Sequence, residues 1–401
     1  MKKLRTLIGS LALVALVALT ALTSCERHPA LHLHRGPHID INLPIIDLEL
    51  DVYWDYANDY SPEHYDWRAE WLYGWDETDV MAFGPLDYAE PTVFNVRRYY
   101  TGNNPDAPHT QPYAHQIKGN MLRAEYDFGF WDILAWNEIE TLDGVQSLIF
   151  DEESTYEYVT ASTNQTMHYT RYSSPKYSRS FYQPEILFAG YAEDEEIDSL
   201  LTGFELRTIE DGKQVWYKKL DVQLLPCTYI YLTQVILHHN RGKITGVDGS
   251  ANLSGMARSV VLNNGVSGSD AITVNYNVRF KRDLDYYGGT EKVDIAGGRL
   301  LTFGMCNFNP NRFESRSEPA TKINEIDQQR HYIDIDMQFN NGMDSTFVFD
   351  VTDQVRRRYK GGVLTIELDM DTIPVPRRSG GSAFDAVVKD FEDGGTHEFS
   401  M

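Results

Sequence analysis

The chain has 401 residues, with 36 basic against 59 acidic side chains and a formal charge of -23. A body this acidic lacks the basic stripe that phosphate contacts need and is repelled by anionic head groups, which excludes nucleic acid as a partner. Aromatic side chains make up 12% of the residues, and 25 are tyrosine, a content that suits pleated, half-buried sheets better than a helix bundle.

In chain order, Lys2, Lys3 and Arg5 come first, and an uncharged run from Thr6 to Ser24 rich in Leu, Ala and Val follows, the layout of an export signal. It ends Leu22, Thr23, Ser24, Cys25, which resembles the bacterial lipobox, whose cysteine is acylated and becomes the first mature residue. That resemblance implies a cleaved signal at 1–24 and a mature chain anchored through lipid on Cys25, with acyl burial worth about 0.8 kcal/mol per methylene. The competing reading is an uncleaved membrane span, since the uncharged run nearly reaches the ~20 residues a bilayer requires. Losing 1–24 removes three basic and no acidic residues, moving the formal charge from -23 to -26. Residues 25–43 read as a flexible tether. His28, His32, His34 and His38 crowd it, and with no scaffold to order them as zinc or copper ligands they are assigned to the tether.

Next, Ile46, Leu48, Leu50, Val52 and Trp54 alternate with Asp47, Glu49 and Asp51, giving a strand with one wet face. Ser61, Pro62 and Glu63 supply an N-cap, a first-turn proline and an acidic first turn, so a helix is expected from 61 to a stop at Gly74. Trp67, Trp71 and Trp75 recur at four-residue spacing, which stacks at least the first two on one helix face. Exposed, that face suits sugar rings or a protein partner; buried, it docks the insert on the first sandwich, and an apolar stripe at helical spacing favours burial. Strands follow at 92–100, 122–128, 131–136 and 185–191. The polar stretch 200–214, with Asp211 and Gly212, places a domain boundary near 210.

Beyond it, strands are expected at 215–225, 228–237, 299–307, 332–339 and 345–351. Two further strands alternate cleanly: Ile272, Val274, Tyr276, Val278 and Phe280, and then Leu364, Ile366, Leu368 and Met370. Asp334 and Asp336 share one strand face, expected to be solvated. Residues 352–359, closed by Gly361 and Gly362, form a short helix. His238 and His239 point to opposite faces and make poor partners for one metal. Cys227 and Cys306 are too few for a disulfide scaffold; export permits a bond between them, and buried free thiols are the alternative. The fold class is all-β, antiparallel sheets in two sandwiches at 44–210 and 211–401 with short helical insertions. Neither a nucleophile elbow, a zinc-binding His-Glu-x-x-His, a Walker loop nor a calcium loop occurs, so neither an enzyme nor a cofactor is expected. A glycosidase, needing only two placed carboxylates, is the one catalytic class left open.

From about residue 40 onward the order of segments resembles the Bacteroidales fimbrium-associated lipoproteins, the anchor and accessory group related to fimbrillins. The resemblance is carried by Cys25, the stretch 131–137 (Trp-Asp-Ile-Leu-Ala-Trp-Asn), 253–256 (Leu-Ser-Gly-Met) and 349–355 (Phe-Asp-Val-Thr-Asp-Gln-Val). It implies two transthyretin-like β-sandwich domains and an envelope lipoprotein, placed in the outer membrane, that is an anchor, tip or accessory subunit of a pilus. It also implies pairing with fimbrial subunits by strand exchange, for which 384–391 is a candidate. A surface lipoprotein that binds glycan through Trp67, Trp71 and Trp75 is the alternative.

Overall fold

The computed structural model describes residues 44–51, 67–84, 86, 91–108, 111–139, 147–152, 158–169, 179–222, 224–309, 328–376 and 386–387. The expected lipid cysteine Cys25, the histidines of the tether and residues 61–66 of the expected helix lie outside them.

The chain is all-β with three short α-helices and one 3-10 turn (Tyr286–Gly288) among the described residues. A four-stranded sheet runs in the order β11 (Glu205–Thr208), β12 (Gln214–Asp221), β1 (Ile45–Asp51), β4 (Met121–Glu125). A five-stranded sheet runs β13 (Leu225–Pro226), β10 (Phe188–Ile197), β5 (Gly129–Asn137), β2 (Val93–Gly102), β3 (Tyr113–Lys118). Ile46, Leu48, Leu122 and Leu220 of the first meet Phe94, Val96, Trp131, Ile133 and Phe188 of the second in one apolar core. The other face of β5, through Leu134 and Trp136, joins a separate core beside β6 (Leu148–Asp151), β7 (Thr160–Thr163) and β16 (Ser259–Val261). Those three strands form a small sheet in the order β16, β7, β6.

The largest sheet has ten strands. Its path is β21 (Gly362–Asp369), β14 (Tyr229–His238), β18 (Lys292–Thr302), β17 (Ala271–Asp285), β15 (Ile244–Ala257), β19 (Tyr332–Phe339), β20 (Asp344–Asp350), β22 (Ala386–Val387). Strand β9 (Arg179–Tyr182) pairs with β17 off this path and with β8 (Gln165–Tyr169). Both halves of the sheet feed one core, with Tyr231, Val235 and Leu364 packed in the same cluster as Leu253, Val274, Ile335 and Phe349. The helices are α1 (Trp67–Glu70), α2 (Glu77–Phe83) and α3 (Thr352–Arg357).

Several expectations change on contact with the structure. The sheets are not purely antiparallel: β1 with β12, β14 with β21, β17 with β9 and β20 with β22 all pair parallel, because long crossovers return the chain to strands laid down much earlier. Position 210 falls in the turn of the antiparallel hairpin β11–β12, and β12 lies beside β1. Asp47, expected on a wet face, is 5% exposed, and Arg123 from the neighbouring strand grips both its oxygens at 2.6 and 2.7 Å. Asp334 is buried rather than solvated. It accepts from Asn252 Nδ2 at 2.7 Å, and Asn275 donates to Asn252 at 3.0 Å, so a polar ladder crosses three strands.

Candidate functional site

The tryptophan-bearing segment 67–84 lies as a strap on the large sheet, over β14, β18 and β21, and not on the first sandwich as its sequence suggested. Trp71, Tyr73 and Phe83 pack in one cluster with Ile230, Leu232 and Ile236 of β14, Val293, Ile295 and Leu301 of β18, and Val363 of β21. The expected helix ends at Glu70, short of Gly74, for a tertiary reason. Gln234, 0% exposed on β14, accepts from the Leu72 and Tyr73 amides at 2.8 and 3.2 Å and donates to the Glu70 carbonyl at 2.8 Å. Those amides are the ones a continuing helix would have turned inward, so one side-chain amide replaces the next helical turn.

Tyr73 then lies against Gly297 of β18, where a Cβ would come within 2.4 Å of its ring. Only glycine permits that approach. Past the turn, α2 opens with a capping box: the Asp76 carboxylate accepts from the Thr78 and Asp79 amides, and Asp79 accepts from the Asp76 amide at 3.0 Å. Asp79, fully buried, also meets Tyr73 Oη at 3.1 Å, Lys281 Nζ at 2.7 Å and Arg279 at 3.3 Å. The carboxylate therefore serves as helix cap and as the anion that pairs the strap with β17. Arg358 holds Glu70 through both oxygens, at 2.9 and 3.0 Å, and Arg299 reaches the Phe83 carbonyl at 3.1 Å.

On the outer side of the strap is a pocket of about 470 Å³, lined by Trp67, Arg68, Trp71, Gly74, Trp75, Val80 and Leu86. The indole of Trp71 stands edge-on to both others, with ring centroids 6.4 Å from Trp67 and 6.0 Å from Trp75. Trp71 is buried, whereas Trp67 and Trp75 are half-buried and Val80 is 43% exposed. The structure thus brings all three expected tryptophans together, one as core and two as walls. The Nε1–H of Trp71 is buried without an acceptor. The Arg68 guanidinium lies over the Trp67 ring at 4.3 Å.

The two ends of the large sheet differ. At β21 the outer backbone of Thr365 is already occupied: Gln354 of α3 donates to its carbonyl at 2.8 Å and accepts from its amide at 2.9 Å. A side-chain amide stands where an added strand would bond. At the other end, β20 is met beyond β19 by β22, which pairs with it at Phe347 and Val348. The described pair of β22 falls inside the expected strand 384–391; the remainder lies outside the described residues.

Cys227 and Cys306 are buried thiols in one core and are not joined in a disulfide, and burial pushes the Cys227 thiol up to about 12. His238 and His239 do diverge: the first bonds Glu291 at 2.7 Å and Glu367 at 3.2 Å, the second Asp369 at 3.0 Å. His239, Asp369 and Asp371 bring ligand atoms within 4.8 Å of one another, but the histidine and Asp369 are partnered and Arg241 pairs with Asp371 at 3.3 Å, as in a surface ion-pair set. Among the described residues no helix is long and apolar enough to cross a membrane.

No protein-family model matches the chain. No curated protein matches it either. Among solved structures it is similar to a candidate adhesin from Bacteroides ovatus, 14% identical over 82% of this chain and 94% of that one, with a TM-score of 0.43. It is also similar to a candidate adhesin from Bacteroides thetaiotaomicron (10% identity, 82% and 93% of the chains, TM-score 0.40). A third is the fimbrial anchor protein Mfa2 from Porphyromonas gingivalis (12% identity, 80% and 90%, TM-score 0.39).

Proposed function

We propose that the protein is a non-enzymatic lipoprotein of the cell envelope, tethered through Cys25, that serves as an anchor or accessory subunit of a fimbrium by pairing strands with its partners. The observation that carries this reading is the asymmetry of the ten-stranded sheet. One terminal strand, β21, is plugged by the Gln354 amide, while β20 at the other end takes a parallel strand from far along the chain, in register at Phe347 with Ala386 and Val348 with Val387. A strand site that accepts a distant segment of its own chain offers the same hydrogen bonds to a segment of another. The lipobox resemblance and the segments 131–137, 253–256 and 349–355 support the envelope assignment. In this reading the two sandwiches are transthyretin-like domains, the first of which continues through β13.

The test is affinity capture of the full lipid-bearing chain from its native envelope, followed by mass spectrometry of what it holds. Fimbrillin-like subunits are expected with the full chain and should be enriched further with a chain ending at Pro376, which leaves the β20 edge open to them. A capture in which no such subunit is enriched overturns the reading.

A further inference from the structure

We infer that His239, Asp369 and Asp371 together bind a divalent transition-metal ion such as zinc, at the end of the large sheet where β14 and β21 stop. This inference does not rest on the strand-pairing reading, and either can fail alone.

The backbone brings the three donors together. Strands β14 and β21 run parallel with His238 opposite Asp369, and the Met370 amide continues the pairing by donating to the His238 carbonyl at 2.9 Å. His239 and Asp369 therefore leave the sheet side by side. The turn that carries Asp371 is anchored by the buried side chains of Met370 and Ile373, and Lys243 Nζ donates to the carbonyls of both, at 3.0 Å for Ile373. Within that turn the Asp371 amide donates to Asp369 Oδ1 at 3.0 Å, which orients the carboxylate. His239 is held at a φ of 52°, an uncommon backbone state that persists only where its surroundings fix it.

The separations suit one ion. Imidazole nitrogen and carboxylate oxygen bond zinc at about 2.1 Å, so two such donors at a right angle stand about 3.0 Å apart, and opposite donors about 4.2 Å. His239 Nδ1 and Asp369 Oδ1 are 3.0 Å apart, and ligand atoms of all three residues lie within 4.8 Å of one another. Rotation of the exposed Asp371 side chain closes the difference. A hydrogen bond explains the first two residues but not a second carboxylate at the same point. The ion pair of Asp371 with Arg241 is a weak competitor, because both side chains are exposed and such pairs contribute little. Glu291 and Glu367, which hold the adjacent His238, add to the negative field that concentrates cations here. The imidazole selects zinc-like ions over calcium and magnesium, which prefer oxygen donors throughout. Water completes the coordination on the open side, and the bound ion ties the turn after β21 to the end of β14.

Calorimetric titration of the metal-stripped full chain in detergent with zinc chloride tests this. The tether histidines would take up the same probe, so His28→Gln, His32→Gln, His34→Gln and His38→Gln are combined as the background. One zinc per chain should bind, with a dissociation constant of about 100 µM or tighter, and calcium should bind more weakly. His239→Asn suits the left-handed backbone and removes the imidazole, and Asp371→Asn keeps the side-chain shape. Each should weaken zinc binding at least about tenfold. Arg241→Gln, which removes the cation competing for Asp371, should bind zinc at least as tightly as the background. The absence of saturable zinc binding overturns the inference. Binding that is unaffected by either ligand variant, that is weakened by Arg241→Gln, or that is tighter for calcium also overturns it.

Discussion

Replacing Gln234 with leucine should release the strap while leaving the sheet beneath it intact. The amide satisfies the Leu72 N–H at 2.8 Å, the Tyr73 N–H at 3.2 Å and the Glu70 carbonyl at 2.8 Å, and it donates to Thr365 Oγ1 at 2.9 Å. Leucine has nearly the same volume and answers none of them. Each buried backbone group left unpaired costs roughly 1–3 kcal/mol, less for the longer Tyr73 bond, whereas the Thr365 hydroxyl loses only one accepted bond and keeps its own O–H to donate. Set against the apolar burial leucine gains, the net loss is about 3 kcal/mol, or about a hundredfold in the docked-to-undocked ratio. Hydrogen exchange read by mass spectrometry should show 67–84 losing protection while β14 and β18 keep theirs, and indole emission should shift to the red as Trp71 leaves its core. If 67–84 in Gln234→Leu stays as protected as in the parent, the strap is held by its apolar face alone and the role given to Gln234 is wrong.

Gly297→Ala drives a Cβ into the Tyr73 ring and should lower stability by about 1–3 kcal/mol; the loss should shrink in a Tyr73→Ala background, measured by a double-mutant cycle in urea. Asp79→Asn keeps the shape of the cap but leaves Lys281 and Arg279 facing an amide. Equilibrium unfolding should show a loss of about 2–3 kcal/mol, below the full cost of breaking a buried pair because Arg279 is partly exposed. His115 accepts from Arg98 Nε at 3.0 Å, and burial, with Arg98 and Arg97 alongside, holds its pKa below the ordinary histidine value. The unfolded chain takes up this proton first, so the contribution is complete above about pH 6.5 and is lost as pH falls through that range. His115→Gln, whose amide oxygen still accepts from Arg98, should flatten this part of the pH–stability curve; an unchanged slope would assign it to other groups.

Much of the framework was legible in the residues because period-two alternation and one-sided burial report the same physics. Ile46 and Leu48, Ile272 to Val278 in steps of two, and Leu364 to Met370 in steps of two all point into cores, and the strand expected at 332–339 is β19. Strand β15 was missed because Gly246, Gly249 and Gly255 interrupt it. Gly255 has a positive φ of 83°, and a Cβ there would lie 2.5 Å from the Arg330 carbonyl, a tertiary approach that no local pattern encodes. Strand β3 was missed for the opposite reason, being a largely exposed edge with little apolar signal.

The site was half legible. The four-residue spacing of Trp67, Trp71 and Trp75 found the residues, but it could not show where they dock. A clue stood at 229–237, where β14 reads as an almost unbroken apolar run and not as an alternation, the mark of a strand covered on both faces. Its second cover is the strap. The Asp76 and Asp79 pair at capping-box spacing was a second signal, and it would have located α2. Nothing local announced Gln234 or Gly297, whose roles exist only once the strap and sheet meet.

The most direct measurement of the central claim is photo-crosslinking in the native envelope from a probe installed at Ser345 of β20. Strand pairing at this edge requires products joining the full chain to a fimbrial subunit, with their yield raised when the chain ends at Pro376 and its own β22 is gone. Crosslinks confined to the protein's own chain in both forms would contradict it.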